Sequence, residues 1–346
     1  MVQKESLLAG LNRASLEKNI PLTAVVELTR RCPLSCVHCC LPETRGRAEP
    51  GRELTARQWL KIFKELAGLG SMNLVLTGGE PLLRPDLPAI AAGAADLGFG
   101  VTVFTTGLPA APAPLRALKK ADVSSFELSL YGRPAAHDGI TGLKGSQRRT
   151  LAAARLMRRL GFKVKLKCPL MSVNAGEASY IMRTAKKSGF EFSFDISMAP
   201  GNDGERTPLS LKLPDKRLKR LLGLPTLRPE PNTEGGAGDL ICGAGRNTVA
   251  FAPDGTVYPC LQLPLPLGNA VKTPLCRIWK GSGRLRWWRS RRRRNIEKCR
   301  SCRLWDICSR CPGLALLEDG DMMGPSAQAC RSAAIAGRIF KKRLGR

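Results

Sequence analysis

Four cysteines fall within nine positions of the stretch "RCPLSCVHCCLPE", Arg31 to Glu43: Cys32, Cys36, Cys39 and Cys40, with His38 among them. Thiols this crowded act by binding, and disulfide, zinc and iron–sulfur chemistry all begin from such a loop. Cys32, Cys36 and Cys39 have the spacing C-x3-C-x2-C. Three thiolates on one tight loop can hold three irons of a four-iron cluster and leave the fourth iron open. Zinc would require a fourth ligand, for which His38 is poorly placed, or a second knuckle nearby. Eight of the thirteen cysteines lie between residues 242 and 330. There Cys242 is followed by Gly255-x4-Cys260, by Cys299-x2-Cys302-x5-Cys308-x2-Cys311, and finally by Cys330. The two C-x2-C pairs admit a zinc ribbon as well as iron–sulfur ligation. Cys40, Cys168 and Cys276 read as packing thiols.

The elements that must position these loops are visible as alternating apolar patterns. Short apolar runs predict strands at 24–28, 73–77, 100–106, 125–131, 163–168 and 192–197. Longer amphipathic stretches between them, several ending in glycine, predict helices. Six β–α units in series imply parallel strands with right-handed crossovers. Six units fall short of the eight of a closed barrel, so the fold class is α/β: a partial (β/α)6, TIM-like barrel with its site at the carboxyl ends of the strands. The first cysteine loop follows the first strand, at that end. Residues 1–22 form an N-terminal extension, 23–197 the barrel, and proline-rich 198–241 a bridge. Residues 242–346 form a small cysteine-rich domain ending in a basic helix, with so little periodicity before that helix that inorganic staples are expected.

The chain has 346 residues, 43% of them apolar, and a formal net charge of +28. Its basic residues are dispersed, and the dense run Arg289 to Asn295 reads as a solvated helix face rather than a nucleic-acid groove. No apolar run is long enough to span a membrane and no secretory segment opens the chain. A cytoplasmic location keeps thirteen thiols reduced and favours metal or cluster ligation over disulfides.

About forty residues after the first loop, at the end of the second strand, comes "TGGEPLL". The C-x3-C-x2-C loop followed by this segment resembles the radical S-adenosylmethionine (SAM) superfamily. The resemblance implies that Cys32, Cys36 and Cys39 hold a four-iron cluster whose open iron is chelated by SAM. Gly78 and Gly79 would admit the methionine moiety, Glu80 would balance its ammonium, and Ser129 would contact the ribose, or else cap its own loop. Asn174 and Asp195 would line the same site. Reductive cleavage would then give a 5′-deoxyadenosyl radical, which abstracts hydrogen from the substrate. The later cysteines resemble the SPASM extension, which houses auxiliary four-iron clusters in peptide-modifying members. By that resemblance Cys299, Cys302, Cys308 and Cys330 would hold one cluster. Cys242, Cys260 and Cys311 would hold another, with one coordination position open. The family commonly has three residues between the last two cysteines of the second block, where this chain has Ser309 and Arg310. Leu261 stands where sulfatase-maturing members carry an aspartate, which counts against that branch.

The implied activity is modification of a peptide or protein. A reductant such as flavodoxin or ferredoxin would supply electrons, and a separate leader-peptide-binding protein is expected because only 31 residues precede Cys32. A tetrapyrrole or molybdopterin precursor as substrate, and a non-enzymatic, zinc-bound nucleic-acid-binding protein, are the alternatives.

Overall fold

The computed structural model describes residues 6–41, 53–228 and 239–344, with side chains to residue 340 of the last helix. Parts of the N-terminal extension and of the bridge, including Pro229 and Pro231, lie outside the described residues. Six strands stand side by side in parallel: β1 (Thr23–Glu27), β2 (Asn73–Thr77), β3 (Gly100–Thr105), β4 (Val123–Ser129), β5 (Lys163–Pro169) and β6 (Glu191–Asp195). On β1, Ala24, Val26 and the following Leu28 are fully buried against the helical layer, so Val25 and Glu27 face the opposite side of the sheet. On that opposite side Lys167 lies 3.1 Å from Glu127 and Lys165 3.9 Å, while the Thr102 and Ser125 hydroxyls pair at 2.8 Å. The open face of the barrel is therefore polar.

The helices are α1 (Leu7–Lys18), α2 (Ala56–Gly68), α3 (Leu87–Asp96), α4 (Pro112–Lys120), α5 (Pro134–Thr141), α6 (Ser146–Arg159) and α7 (Ala178–Ser188). Thr55 and Gln58 cap α2 reciprocally, and Trp59, Ile62, Phe63 and Leu66 recur at helical spacing to bury one face. Eight-residue α5 is an addition to the expected set, because it is too short to show a period and opens on Pro134.

The sheet ends at β6 but does not stop at β1. A seventh parallel strand, β7 (Thr248–Phe251), pairs with β1 in the register Thr23↔Thr248 to Val26↔Phe251. Antiparallel β8 (Thr256–Tyr258) and β9 (Gly268–Asn269) complete nine strands in the order β6-β5-β4-β3-β2-β1-β7-β8-β9. The cysteine-rich region thus starts as an extension of the barrel sheet. It also carries more regular structure than its weak periodicity implied. Beyond α8 (Asp215–Leu222) come α9 (Leu275–Gly281), α10 (Gly283–Ser290), α11 (Pro312–Asp319) and α12 (Ala327–Leu344). Leu275, Ile278, Trp279, Leu285, Trp288 and Ile296 are buried in a core continuous with that of the barrel. Staples are not the sole source of order there.

The arginine run is not a solvated helix face. Arg289 donates to the carbonyls of Gly245 (2.7 Å) and Trp279 (2.8 Å) and stacks over the Trp279 ring at 4.4 Å. Arg293 donates to the carbonyls of Cys299 (3.2 Å) and Cys302 (3.1 Å) and lies 4.7 Å over Trp305. These guanidiniums satisfy buried loop carbonyls that no ladder reaches.

Candidate active site

The first cysteine loop leaves the carboxyl end of β1 and is held from two sides. Gly79 N–H donates to Thr29 O (2.8 Å), Glu80 N–H donates to Arg31 O (2.8 Å), and the Arg84 guanidinium donates to Leu28 O (2.9 Å). Across the loop, Ser35 and Val37 N–H groups donate to Thr141 and Ile140 of α5. Glu53 adds an ion pair with Arg31 (3.1 Å). A Cβ on Gly78 would stand 2.2 Å from Thr29 O, and one on Gly79 2.4 Å from Arg31 O. The bareness of the two glycines is therefore taken up by the backbone of the cysteine loop itself. Gly78 also needs glycine for its φ of +137°.

Cys32, Cys36 and Cys39 are brought together by this loop. Burial, helped by the neighbouring thiols, pushes the Cys32 thiol up to about 11 and Cys36 up to about 12. Left to themselves these groups stay protonated, whereas an iron cluster supplies the cationic centre that deprotonates thiols in such a place. His38, between Cys36 and Cys39, is half-buried, held neutral by desolvation of its ring with its pKa down at about 4, and its buried Nδ1 has no partner. Its ring meets Tyr131 edge-on at 4.8 Å. An orphaned buried nitrogen within the thiol loop fits a site that closes around a further group.

Glu80 is fully buried and completely engaged. Its carboxylate accepts from Leu82 N–H (2.9 Å), Thr105 Oγ1 (2.7 Å), Thr106 N–H (2.7 Å) and the Thr106 hydroxyl. Burial raises its pKa, and these donors pull it back. It locks the end of β2 to the end of β3, close enough to Cys32 for its charge to raise that thiol. Ser129 ends β4 within hydrogen-bonding reach of the Tyr131 hydroxyl, which also reaches the Cys36 sulfur. Tyr131 is a site residue that sequence reasoning missed, although its aromatic ring two residues after Ser129 was a signal. Asn174 is spent on backbone: it accepts from Met171 N–H and donates to Tyr131 and Pro169 carbonyls. Asp195 is exposed and accepts from Ser197 N–H.

A cavity of about 240 Å³ lies where the first loop, the segment after β6 and the β8 region meet, lined by Glu27, Arg30, Leu41, Asn202, Asp203, Tyr258, Leu261 and Pro264. Burial pushes the Glu27 carboxyl up to about 7 against the pull of Arg30. Sequence reasoning missed Glu27 because a lone acid in an apolar strand carries no motif. A larger cavity, about 650 Å³, opens among Leu151, Arg155, Arg158, Arg159, Lys187 and Phe190. It runs along the groove between α6 and α7, and no cysteine lines it. The smaller cavity is the candidate site.

The later cysteines form two spatial groups. Cys242 feels the charges of Cys260 and Cys311, and Cys260 that of Cys311. Separately, Cys308 feels Cys330, Cys302 and Cys299. Burial pushes Cys242 up to about 12 and Cys260 and Cys308 up to about 11. Cys276 is exposed, Cys168 is buried, and Cys40 is buried enough for its thiol to be pushed up to about 12. Among the described residues no three Cys, His, Asp or Glu converge on a point that a single ion could occupy. Four-iron clusters draw their thiolates from around a larger body than one ion.

The Radical SAM superfamily model matches residues 26–185, and the iron–sulfur cluster-binding SPASM domain model matches residues 242–303. A PqqA peptide cyclase of Methylorubrum extorquens is 30% identical over 334 residues, covering 88% of this chain and 84% of the relative. An AdoMet-dependent heme synthase of Methanosarcina barkeri is 26% identical, covering 88% of this chain and 95% of the relative. Among solved structures, Streptococcus suis SuiB bound to the precursor peptide SuiA superposes with a TM-score of 0.72 at 18% identity, covering 95% of this chain and 83% of that one. The anSMEcpe structure with bound AdoMet and Cp18Cys peptide gives 0.70 at 17% identity, with 94% and 98% covered. The chain belongs to the radical SAM superfamily. It is an iron–sulfur, SAM-binding enzyme with a C-terminal SPASM domain.

Proposed function

We propose that the protein modifies a peptide in the cytoplasm, using a radical generated at the Cys32–Cys36–Cys39 loop. These three thiolates would hold the catalytic cluster, with Gly78, Gly79, Glu80 and Ser129 shaping the SAM site around it. When bound, the cluster and SAM supply a one-electron carbon–sulfur cleavage that ends in hydrogen abstraction. The chain contributes orientation and dryness. The Glu80 lock and the Glu53–Arg31 pair hold the loop, and His38 and Tyr131 cover it. The observation that carries the reading is the cavity lined at once by Arg30 and Leu41 beside the first loop and by Tyr258 and Leu261 flanking Cys260. A substrate there sits between the radical source and the nearest auxiliary thiols.

Cys242, Cys260 and Cys311 would hold one auxiliary cluster, and Cys299, Cys302, Cys308 and Cys330 a second. The first set has three protein thiolates, which leaves a position for a substrate thiol. The peptide cyclase and precursor-peptide relatives support a peptide substrate, and flavodoxin or ferredoxin suits the reductant. A separate leader-binding protein completes this scheme.

The experiment pairs the enzyme with short peptides encoded beside its gene. After anaerobic incubation with SAM and dithionite, a mass loss in one peptide, matched to 5′-deoxyadenosine, is the expected result. Turnover of a porphyrin precursor with every peptide left unchanged would overturn it in favour of tetrapyrrole chemistry, which the heme synthase relative represents.

A further inference from the structure

Arg310 stands between the two cysteine groups of the C-terminal region. The residue is 8% exposed. Nε donates to Gly324 O at 2.8 Å, and Nη2 donates to the carbonyls of Gly324 and Met322. The remaining nitrogen, Nη1, is buried without an acceptor. A guanidinium is planar and always charged, so anchoring one edge fixes the direction of the other. Electrostatically the group serves both sides. It lies within electrostatic range of Cys299 and Cys330 in one group and of Cys242 in the other. Its own backbone N–H donates to Cys308. The short Cys308-x2-Cys311 linker delivers this one side chain to two sites.

A buried donor left unmade is costly, and more so when it is charged. Nη1 therefore needs an acceptor, and Arg310 lies in the chain between Cys308 of one group and Cys311 of the other. We propose that Arg310 is the shared counter-cation of the two auxiliary iron–sulfur sites, donating from Nη1 to sulfur and raising the reduction potential of both. The direction follows from charge: a fixed cation favours the more negative, reduced cluster, and hydrogen bonds to sulfur act the same way. Because one guanidinium serves both, the two potentials move together. Arg310 is a positioning and tuning residue. The inference rests on the reading that both cysteine groups carry clusters.

The test uses the full chain, loaded anaerobically, reduced, and labelled with guanidino-¹⁵N arginine. Pulsed electron paramagnetic resonance of the wild type should show ¹⁵N coupling on both auxiliary signals. The decisive readout is loss of guanidino coupling from the Cys242 group in Arg310→Lys, because Arg293 also approaches Cys299 and Cys302 and Arg246 lies within electrostatic range of Cys242. Redox titration of Arg310→Gln should lower both auxiliary potentials by roughly the equivalent of tenfold weaker electron binding, about 59 mV for a one-electron couple. The radical-generating cluster should keep its potential and serve as the reference. Arg310→Lys, which retains charge, should recover part of the shift. Two auxiliary signals in the wild type without ¹⁵N coupling at the Cys242 group would overturn the role of Arg310 and leave the cluster reading standing. So would potentials indifferent to the charge at 310. Absence of auxiliary signals from the wild type would overturn both. If Arg310→Gln loses its clusters, the charge-retaining Arg310→Lys decides, by loss or persistence of the coupling at the Cys242 group.

Discussion

Replacing Gly79 with alanine separates two reasons for a glycine at that position. The new Cβ would lie 2.4 Å from Arg31 O and 2.7 Å from Arg30 O, both on the rigid entry to the cysteine loop. Reaching the 3.0 Å that real Cβ contacts require means a retreat of at least about 0.6 Å, and ordinary contact needs about 1 Å. Overpacking of this kind costs about 1–3 kcal/mol. A displacement near 1 Å at a reacting constellation costs about 10²-fold in rate. The loop being displaced carries Cys32, so both penalties should appear together: a lower melting temperature in the absence of SAM, and 5′-deoxyadenosine formation slowed by about two orders of magnitude. Gly68→Ala is the control, since its Cβ meets nothing within 4 Å. It should leave both readouts unchanged or melt slightly higher. If Gly79→Ala melts like the wild type and only its apparent affinity for SAM falls, the glycine serves the ligand and the backbone contact is incidental.

Three more outcomes follow from the same geometry. With three four-iron sites, iron should approach about twelve per chain, and alanine at Cys32, Cys36 and Cys39 together should keep about two thirds of it while abolishing SAM cleavage; stoichiometric zinc would refute this. The Glu27 carboxyl, raised by burial from 4.5 to about 7, contributes stability below its unfolded value that is lost as pH rises through about 7. The melting temperature of the wild type relative to Glu27→Gln should therefore fall between about pH 4.5 and about pH 7, and a flat difference would contradict the burial assignment. Arg293→Ala removes donors from the Cys299 and Cys302 carbonyls and a cation from Trp305. It should destabilise the protein by about 2 kcal/mol in denaturant titration, with Arg300→Ala, an exposed neighbour, near zero.

The barrel was legible because each of its strands is a short apolar run set off by amphipathic helices. The run 73–77 is β2 to the residue. Beyond residue 241 that contrast fades. β7 has four residues and β9 two, so neither shows a period, although Asp254-Gly255, with Gly255 at φ +85°, was a hairpin signal. The cysteine spacings identified the chemistry, since thiols at those intervals have few other uses. What surrounds the thiols was hidden, because it depends on partners far away in the chain. Glu80 is held by Thr105 and Thr106, and Gly79 is pinned by Arg31, 48 positions earlier. Arg289 and Arg293 looked like surface charge until the carbonyls they satisfy were known.

The pairing of β1 with β7 bears on how such enzymes can be recombined. One backbone ladder joins the strand that launches the first cysteine loop to the strand between Cys242 and Cys260, and Phe251 of β7 meets Trp59 of α2 ring-to-edge at 6.3 Å. A chimera cut at the boundary suggested by composition would break four residue pairs and leave β1 as a bare sheet edge. Exchange of C-terminal regions between relatives should succeed only when the incoming strand matches the Thr23–Val26 register and presents an aromatic to the Trp59 position. The spacing between the two thiol sites would then be inherited with the ladder, as a fixed length rather than a hinge.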